Sequence, residues 1–358
     1  MKTKVLIVDD SAYTRQTIKK IIEADRALEV VGIATDGIDA MAKALRLQPD
    51  IITLDFEMPG MDGFSFLRWL MKEQPTPVIM VTSHADSKMV FKALELGAVD
   101  FIAKPTRRAS IELQTIEKDL LSKIKGLKNI RLDILSRNLE LFDQEEEEEV
   151  VKEGKGKKGR RAVEIIAVGS STGGPAALQL MLTRLPSDIK ASLVISQHMP
   201  KGFTAPLAER LDRMCQIRVK EAGEGDIVEF GTAYICPGGQ HLSLKKRGNR
   251  TQISLKEGRF EDKYIPSVDL MMSSVAENFG VASMGVILTG MGNDGKDGML
   301  DIKTQGGYTI AESEDTAVVF GMPAEAIKNG GVDTILPLPE ISPEIVRIVN
   351  NSYIRGRE

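Results

Sequence analysis

The stretch Val163–Leu178, VEIIAVGSSTGGPAAL, runs from a buried-looking apolar strand through a glycine-rich turn into a helix. Pro175 suits the first turn of that helix, where its missing N–H leaves no bond unmade. The turn reads two ways. Its exposed N–H groups at a helix start suit a bound phosphate. Gly169-Ser170-Ser171-Thr172-Gly173 also spells G-x-S-x-G, the sharp turn that lifts a serine hydroxyl clear of a sheet. A Walker loop needs Lys after its last glycine, but Pro175 follows Gly174; the dinucleotide fingerprint fails because Ser171 takes the place of its second glycine. The serine reading is therefore favoured over the phosphate one.

Working outward, the strand belongs to a series. VEIIAVG, ASLVISQ, TAYICPGG and MGVILTG are strand-like, YTIAES and DTILPL follow them, and His241–Gly258 alternates with period two like a β-hairpin. An earlier series spans Lys4–Lys104, where KVLIVD, EVVGIAT, DIITLDF, PVIMVTS and DFIAK alternate with amphipathic stretches such as Ser11–Ala24 and Gly37–Leu47. Both patterns predict an α/β fold with two doubly wound parallel sheets. Ser110–Leu141 reads as helical and charged, and QEEEEEVVKEGKGKKGRR after it cannot bury enough apolar surface to fold. The expected organisation is a first domain over 1–125, a charged linker over 126–162 and a second domain over 163–352.

A length of 358 residues is too great for one ordinary core, and 42% hydrophobic with 27% charged residues is a soluble globular balance. A net charge of −4 argues against nucleic acid as a partner. The opening MKTKVLIVDD is neither a signal peptide nor a membrane span, so a cytoplasmic protein without membrane insertion is expected. Cys215 and Cys236 are then expected to be reduced.

In the first series Asp9 and Asp10 close the first strand and Asp55 the third. Neighbouring strand ends form the crevice of an open parallel sheet. Three carboxylates there need a proton or a hard cation among them, and oxygen ligands favour Mg²⁺. Thr82 and Lys104 end the fourth and fifth strands, completing an arrangement suited to phosphoryl transfer. The bland alternative makes the Asp9-Asp10 pair a helix cap.

In the second series a nucleophilic Ser171 needs a base. The histidines are His84, His198 and His241. His84 lies in the first series. His198 follows the strand after the serine strand and so shares its edge, which favours it over His241. His241 stays open as a rival base, a substrate contact, an anchor of the CPGG turn or a satisfied structural histidine. Asp294 and Asp297 in MGVILTGMGNDGKDGM are the candidates for an orienting carboxylate, with Asp294 preferred among its glycines.

VDDS, LDFEMPGMDG, VTS and KP, in this order, resemble a response-regulator receiver domain, which implies a flavodoxin-like fold. The resemblance implies Asp55 as phospho-acceptor and Mg²⁺ held by Asp10, Asp55 and the Glu57 carbonyl, with Asp9 acting through water. Thr82 and Lys104 would contact the phosphoryl group, and Phe101 would be the aromatic that repacks on activation. GSSTGG, QHMPKGFT, YICPGGQHL, PSVDLMMSS, LTGMGNDG and VVFGMPAEA resemble the protein-glutamate methylesterases of bacterial chemotaxis, with a Rossmann-like catalytic domain. That resemblance implies Ser171 as nucleophile, His198 as base, Asp294 as its orienter and the Met291 N–H in the oxyanion hole. No cofactor is expected for the ester chemistry. The implied substrate is a glutamyl methyl ester, or a glutamine, on the cytoplasmic helices of a chemoreceptor. The implied activator is a chemotaxis histidine kinase, whose phosphorylation of Asp55 uncovers the cleft. Lys296 and Glu312 depart from the family pattern, where alanine and glutamine are frequent, and both are expected near the cleft.

Overall fold

Parallel strands buried on both faces read as continuous apolar runs, and β-branched IITL (Ile51–Leu54) and IIAVGS (Ile165–Ser170) are buried at every position. The computed structural model describes residues 2–82, 87–104, 110–127, 130 and 162–355. His84 and most of the expected linker lie outside the described residues. The chain divides into two compact units, Met1–Leu139 and Glu140–Glu358.

The first unit runs β1 (Thr3–Val8), α1 (Ala12–Glu23), β2 (Leu28–Ala34), α2 (Gly37–Leu47), β3 (Ile51–Leu54), α3 (Gly63–Glu73), β4 (Val78–Thr82), α4 (Ser87–Glu95), β5 (Asp100–Ala103) and α5 (Ser110–Gly126). Its sheet is parallel, in the order β2-β1-β3-β4-β5. Three of its helices start on side-chain caps. Ser11 accepts from the Thr14 N–H, Asp36 from those of Ile38 and Asp39, and Asp62 from that of Ser65. The cap of α1 is thus Ser11, not Asp10, whose side chain is left exposed.

The second unit runs β6 (Ile165–Ser170), α6 (Gly174–Thr183), β7 (Ser192–Gln197), α7 (Thr204–Met214), β8 (Arg218–Glu221), β9 (Thr232–Ile235), β10 (Gln240–Arg247), β11 (Arg250–Glu257), α8 (Val268–Phe279), β12 (Ser283–Ile287), α9 (Lys296–Thr304), β13 (Tyr308–Glu312), α10 (Met322–Lys328), β14 (Thr334–Leu336) and α11 (Leu338–Arg355). Seven strands form a parallel sheet in the order β14-β13-β12-β6-β7-β9-β8, and β10 and β11 form a separate antiparallel hairpin. The α/β, doubly wound reading of both halves is borne out. The sequence pattern missed β8, an edge strand.

Strand order fixes where each unit can hold a ligand. It reverses between β1 and β3 in the first sheet and between β12 and β6 in the second, which makes those carboxyl-end crevices the switch points. The hairpin packs onto α8 through Leu242, Leu244 and Ile253 against Met271, Met272 and Val275. Burying each such side chain contributes about 1.5–3 kcal/mol, enough to fix the helix against the sheet.

Candidate active site

At the first switch point Asp9, Asp10 and Asp55 offer carboxylate oxygens that all lie within 4.8 Å of one another. Asp9 and Asp55 are buried, and the Lys104 ammonium reaches Asp55 Oδ2 at 2.5 Å and Asp9 Oδ2 at 3.8 Å. Burial pushes the Asp9 carboxyl up to about 7, the charge of Asp55 adds to this, and Lys104 opposes it. Burial likewise raises Asp55, against the Lys104 hydrogen bond. Lys104 is depressed by its own burial, but its hydrogen bond to Asp55 and the charges of Asp9, Asp55 and Asp10 leave it raised. Asp9 Oδ2 is buried without a hydrogen-bond partner. An orphaned carboxylate oxygen facing two further carboxylates fits a small hard cation. Glu57 is next to this cluster, its N–H donating to Asp55 Oδ1 at 3.3 Å. Thr82 is buried at the end of β4, and the Lys104 N–H donates to its carbonyl. Phe101 is buried in β5 with the Lys123 ammonium 5.3 Å from its ring centre.

At the second switch point the turn after β6 carries Ser171 and the loop after β12 carries Gly290–Asp294. Left-handed backbone falls on Gly173, with φ +76°, and the serine itself is unstrained; among the described residues Gln48 is the one non-glycine with positive φ. The turn is therefore a helix start eased by glycine rather than a strained serine. It is held from both sides. The Ser171 N–H donates to the Thr289 carbonyl at 3.0 Å, and Gln197 Nε2 donates to the Ser171 carbonyl at 2.9 Å. Gly290 lies so close that a Cβ there would sit 2.8 Å from the Ser171 Cβ.

His198 follows β7, the neighbour of β6, and the parallel register Gly169↔Ser196, Ser170↔Gln197 brings it level with Ser171. Its Nε2 lies 2.7 Å from Asp294 Oδ2. With Nε2–H donating to that carboxylate, Nδ1 is the basic nitrogen of the neutral ring. Tyr264 stacks on the imidazole with ring centres 5.0 Å apart and planes 5° apart. The tyrosine is clipped in turn, its hydroxyl donating to Asn293 Oδ1 and accepting from the Asn293 N–H.

Asp294 is 1% exposed and sits at the N-terminus of α8. Its Oδ2 also accepts from the Val268 N–H at 2.7 Å, and its Oδ1 from the Asp269 N–H at 3.0 Å and the Ser267 hydroxyl at 3.2 Å. Burial alone would raise this carboxyl, but His198 and the helix N–H groups hold it below the usual carboxylate range. Asp297 is exposed in the first turn of α9, where its N–H donates to Asp269 Oδ1 and its Oδ1 accepts from Asn329. His241 pairs with Asp262 instead of entering the His198–Asp294 pair. Nor does it tie the CPGG turn, whose Gly238 N–H is taken by Thr204 Oγ1.

Met291 is placed by its neighbours. The Gly290 carbonyl accepts from the N–H groups of Gly321 and Met322. In a trans peptide N–H points opposite to C=O, so the Met291 N–H faces away from that segment. Glu312, by contrast, is wholly buried beneath the loop and does not border the cleft. Its Oε2 accepts from the Thr289 N–H and its Oε1 from the Thr316 hydroxyl, and burial pushes it up to about 7. Lys296 begins α9, and its carbonyl accepts from Asn329. Sequence reasoning gave no role to Tyr264, Ser267, Gln197 or Thr289, although the motif PSVDLMMSS contains Ser267.

The profile of the family described as CheB methylesterase matches residues 166–345, and that of the response regulator receiver domain matches residues 5–115. The chain belongs to the CheB methylesterase family. A curated relative from Geobacter sulfurreducens, named protein-glutamate methylesterase/protein-glutamine glutaminase 3, is 44% identical, with 97% of each chain covered. Another from Pyrococcus abyssi, named protein-glutamate methylesterase/protein-glutamine glutaminase, is 42% identical over 99% of this chain and 95% of its own. The solved CheB methylesterase catalytic domain of Thermotoga maritima is 41% identical, covers 52% of this chain and 98% of its own length, and superposes with a TM-score of 0.51. Among the described residues no helix is long and apolar enough to cross a membrane. Cys215 and Cys236 are free thiols, both pushed up to about 12 by burial.

Proposed function

We propose that the second unit hydrolyses glutamate γ-methyl esters on chemoreceptor helices, and deamidates glutamines there, under control of Asp55 phosphorylation in chemotaxis adaptation. The observation that carries this is the His198–Asp294 pair, seated on the α8 N-terminus and level with Ser171 at the switch point. Ser171 Oγ attacks the ester carbonyl as His198 Nδ1 takes its proton. The N–H of Met291 helps hold the oxyanion, a donor of the kind worth about 3–4 kcal/mol in comparable sites. His198 returns the proton to the leaving methoxide, giving methanol, or to the leaving amine, giving ammonia. Water, deprotonated by the same imidazole, then releases the glutamate. A cleft of about 460 Å³ lined by Lys263, Tyr264, Gly292, Asn293, Phe320 and Glu325 opens beside the triad and offers room for the residues that flank the ester.

In the first unit Asp55 is the phospho-acceptor. Asp10, Asp55 and the Glu57 carbonyl would hold Mg²⁺, with Asp9 acting through water, and the ion would supply charge neutralisation for phosphoryl transfer. Lys104 and Thr82 hold the oxygens of the phosphoryl group, and Phe101 repacks in response. The phosphodonor is a chemotaxis histidine kinase, and the protein works in the cytoplasm. Methanol release from methylated receptor, with and without acetyl phosphate, tests the proposal. Release should rise with the phosphodonor, and Asp55→Asn should remove the rise. No methanol from the wild type under either condition would refute it.

A further inference from the structure

Buried His241 and half-exposed Asp262 form a second histidine–carboxylate pair that the proposed chemistry does not use. His241 is 7% exposed, and its Nε2 lies 2.9 Å from Asp262 Oδ2. Its other nitrogen settles the tautomer. Nδ1 lies 3.1 Å from the Ser267 backbone nitrogen, which is always a donor, so Nδ1 accepts and Nε2–H must donate to Asp262. The Arg259 N–H and this imidazole hold Asp262 below the usual carboxylate range, keeping it the acceptor that the tautomer requires.

Ser267 is the residue through which α8 meets the triad. It caps the helix, accepting from the Leu270 N–H, and its hydroxyl donates to Asp294 Oδ1. The next two N–H groups, of Val268 and Asp269, are also bonded to Asp294. Displacing Ser267 therefore moves three of the donors that fix the carboxylate to which His198 is bonded. The hairpin bearing His241 is fastened to α8 further along, where the Leu244 N–H donates to Ser274 Oγ and Asn278 Nδ2 to the Leu244 carbonyl. His241 is thus the rigid hairpin's grip on the helix N-terminus.

We infer that His241 is a positioning residue for the esterase chemistry, acting through Ser267 and the α8 N-terminus on Asp294 and so on His198. The kinetic part of this inference rests on the esterase reading above.

Two isosteric substitutions in the full chain separate the contacts. In His241→Asn the side-chain oxygen occupies the place of Nδ1 and can still accept from Ser267, but the reach to Asp262 is lost. In His241→Gln the amide reaches Asp262, but the acceptor at Nδ1 is lost. The expected result is a kcat lowered about 10–100-fold in His241→Gln, the effect of a small misplacement of catalytic groups, with KM within twofold and His241→Asn close to wild type. The far-downfield proton resonance of the His198–Asp294 hydrogen bond should persist in His241→Asn and shift or broaden in His241→Gln. Equal kcat in all three proteins, equal losses in both variants, or a change confined to KM would overturn the inference. If His241→Gln does not fold, His241→Leu decides, since it fills the site and likewise offers no acceptor to the Ser267 N–H. A drop in kcat and a displaced resonance support the inference, and no change in either overturns it. The resonance can be read without any turnover, so a wild type that releases no methanol would count against the esterase reading alone.

Discussion

Asp9 and Asp294 are both 1% exposed and both stand at the carboxyl edge of a parallel sheet, yet burial acts on them with opposite results. Asp9 faces two other carboxylates, has one oxygen without a hydrogen bond, and is pushed up to about 7. Asp294 is surrounded by donors from α8 and by His198, and is held low. The desolvation is alike, and the neighbours decide the sign. The first site stores electrostatic repulsion that a cation relieves, which suits a switch. The second is a carboxylate already satisfied by the fold, which suits a fixed part of a catalytic device.

The largest test of this contrast removes the proposed nucleophile. Ser171→Ala should lower methanol release about 10⁶-fold, the scale seen when a triad serine is lost, while phosphate incorporation at Asp55 from acetyl phosphate stays at the wild-type level. A loss of both activities would show that the two sites are not separable. Asp294→Asn should follow, with kcat down about 10⁴-fold, because an amide cannot hold the imidazole in the tautomer the carboxylate imposes. Retention of more than a tenth of the wild-type kcat would break the comparison on the Asp294 side.

Stability against pH tests the other side. The folded-state pKa of Asp9 is raised from 3.8 to about 7, so stability is greatest below 3.8 and is lost as pH rises towards 7. In Mg²⁺-free buffer at pH 8, Asp9→Asn should therefore raise unfolding stability of the first unit by up to about 4 kcal/mol. Added Mg²⁺ should narrow the gap by stabilising the wild type. Denaturant melts at pH 4 and pH 8 check this, and an equal effect at both would contradict the stored repulsion. A smaller effect of the same sign is expected for Glu312, raised from 4.5 to about 7 and wholly buried. Glu312→Gln keeps an acceptor for the Thr289 N–H without a charge, and should stabilise the second unit by up to about 3 kcal/mol at pH 8 and little at pH 4.

The same contrast explains what the sequence could reveal. Sheets of apolar strands announce themselves by composition, and residues just past strand ends are brought together by topology alone. The placing of Asp9, Asp55, Ser171, His198 and Asp294 at these strand ends was therefore legible. Strand β8 was not, because RVKE is a four-residue edge strand whose one apolar residue, Val219, is too little to show a strand pattern. Tyr264, Ser267 and the α8 N-terminus escaped for another reason. They reach Asp294 and His198 from a loop and a helix start, and no periodicity marks which backbone N–H groups will meet a carboxylate in another segment. Glu312 misled for a related reason. It is the last residue of β13, at the same sheet edge as the candidate residues, but its side chain turns beneath the loop to meet Thr289.

Proton transfer between Ser171 and His198 is the central step of the proposed chemistry, and covalent trapping reads it most directly. The full chain is treated with a fluorophosphonate, and the modified peptide is mapped by mass spectrometry in the wild type and in His198→Ala. Modification confined to Ser171 and lost in His198→Ala is the predicted result. Labelling at another residue, or Ser171 labelling that survives loss of the imidazole, would contradict it.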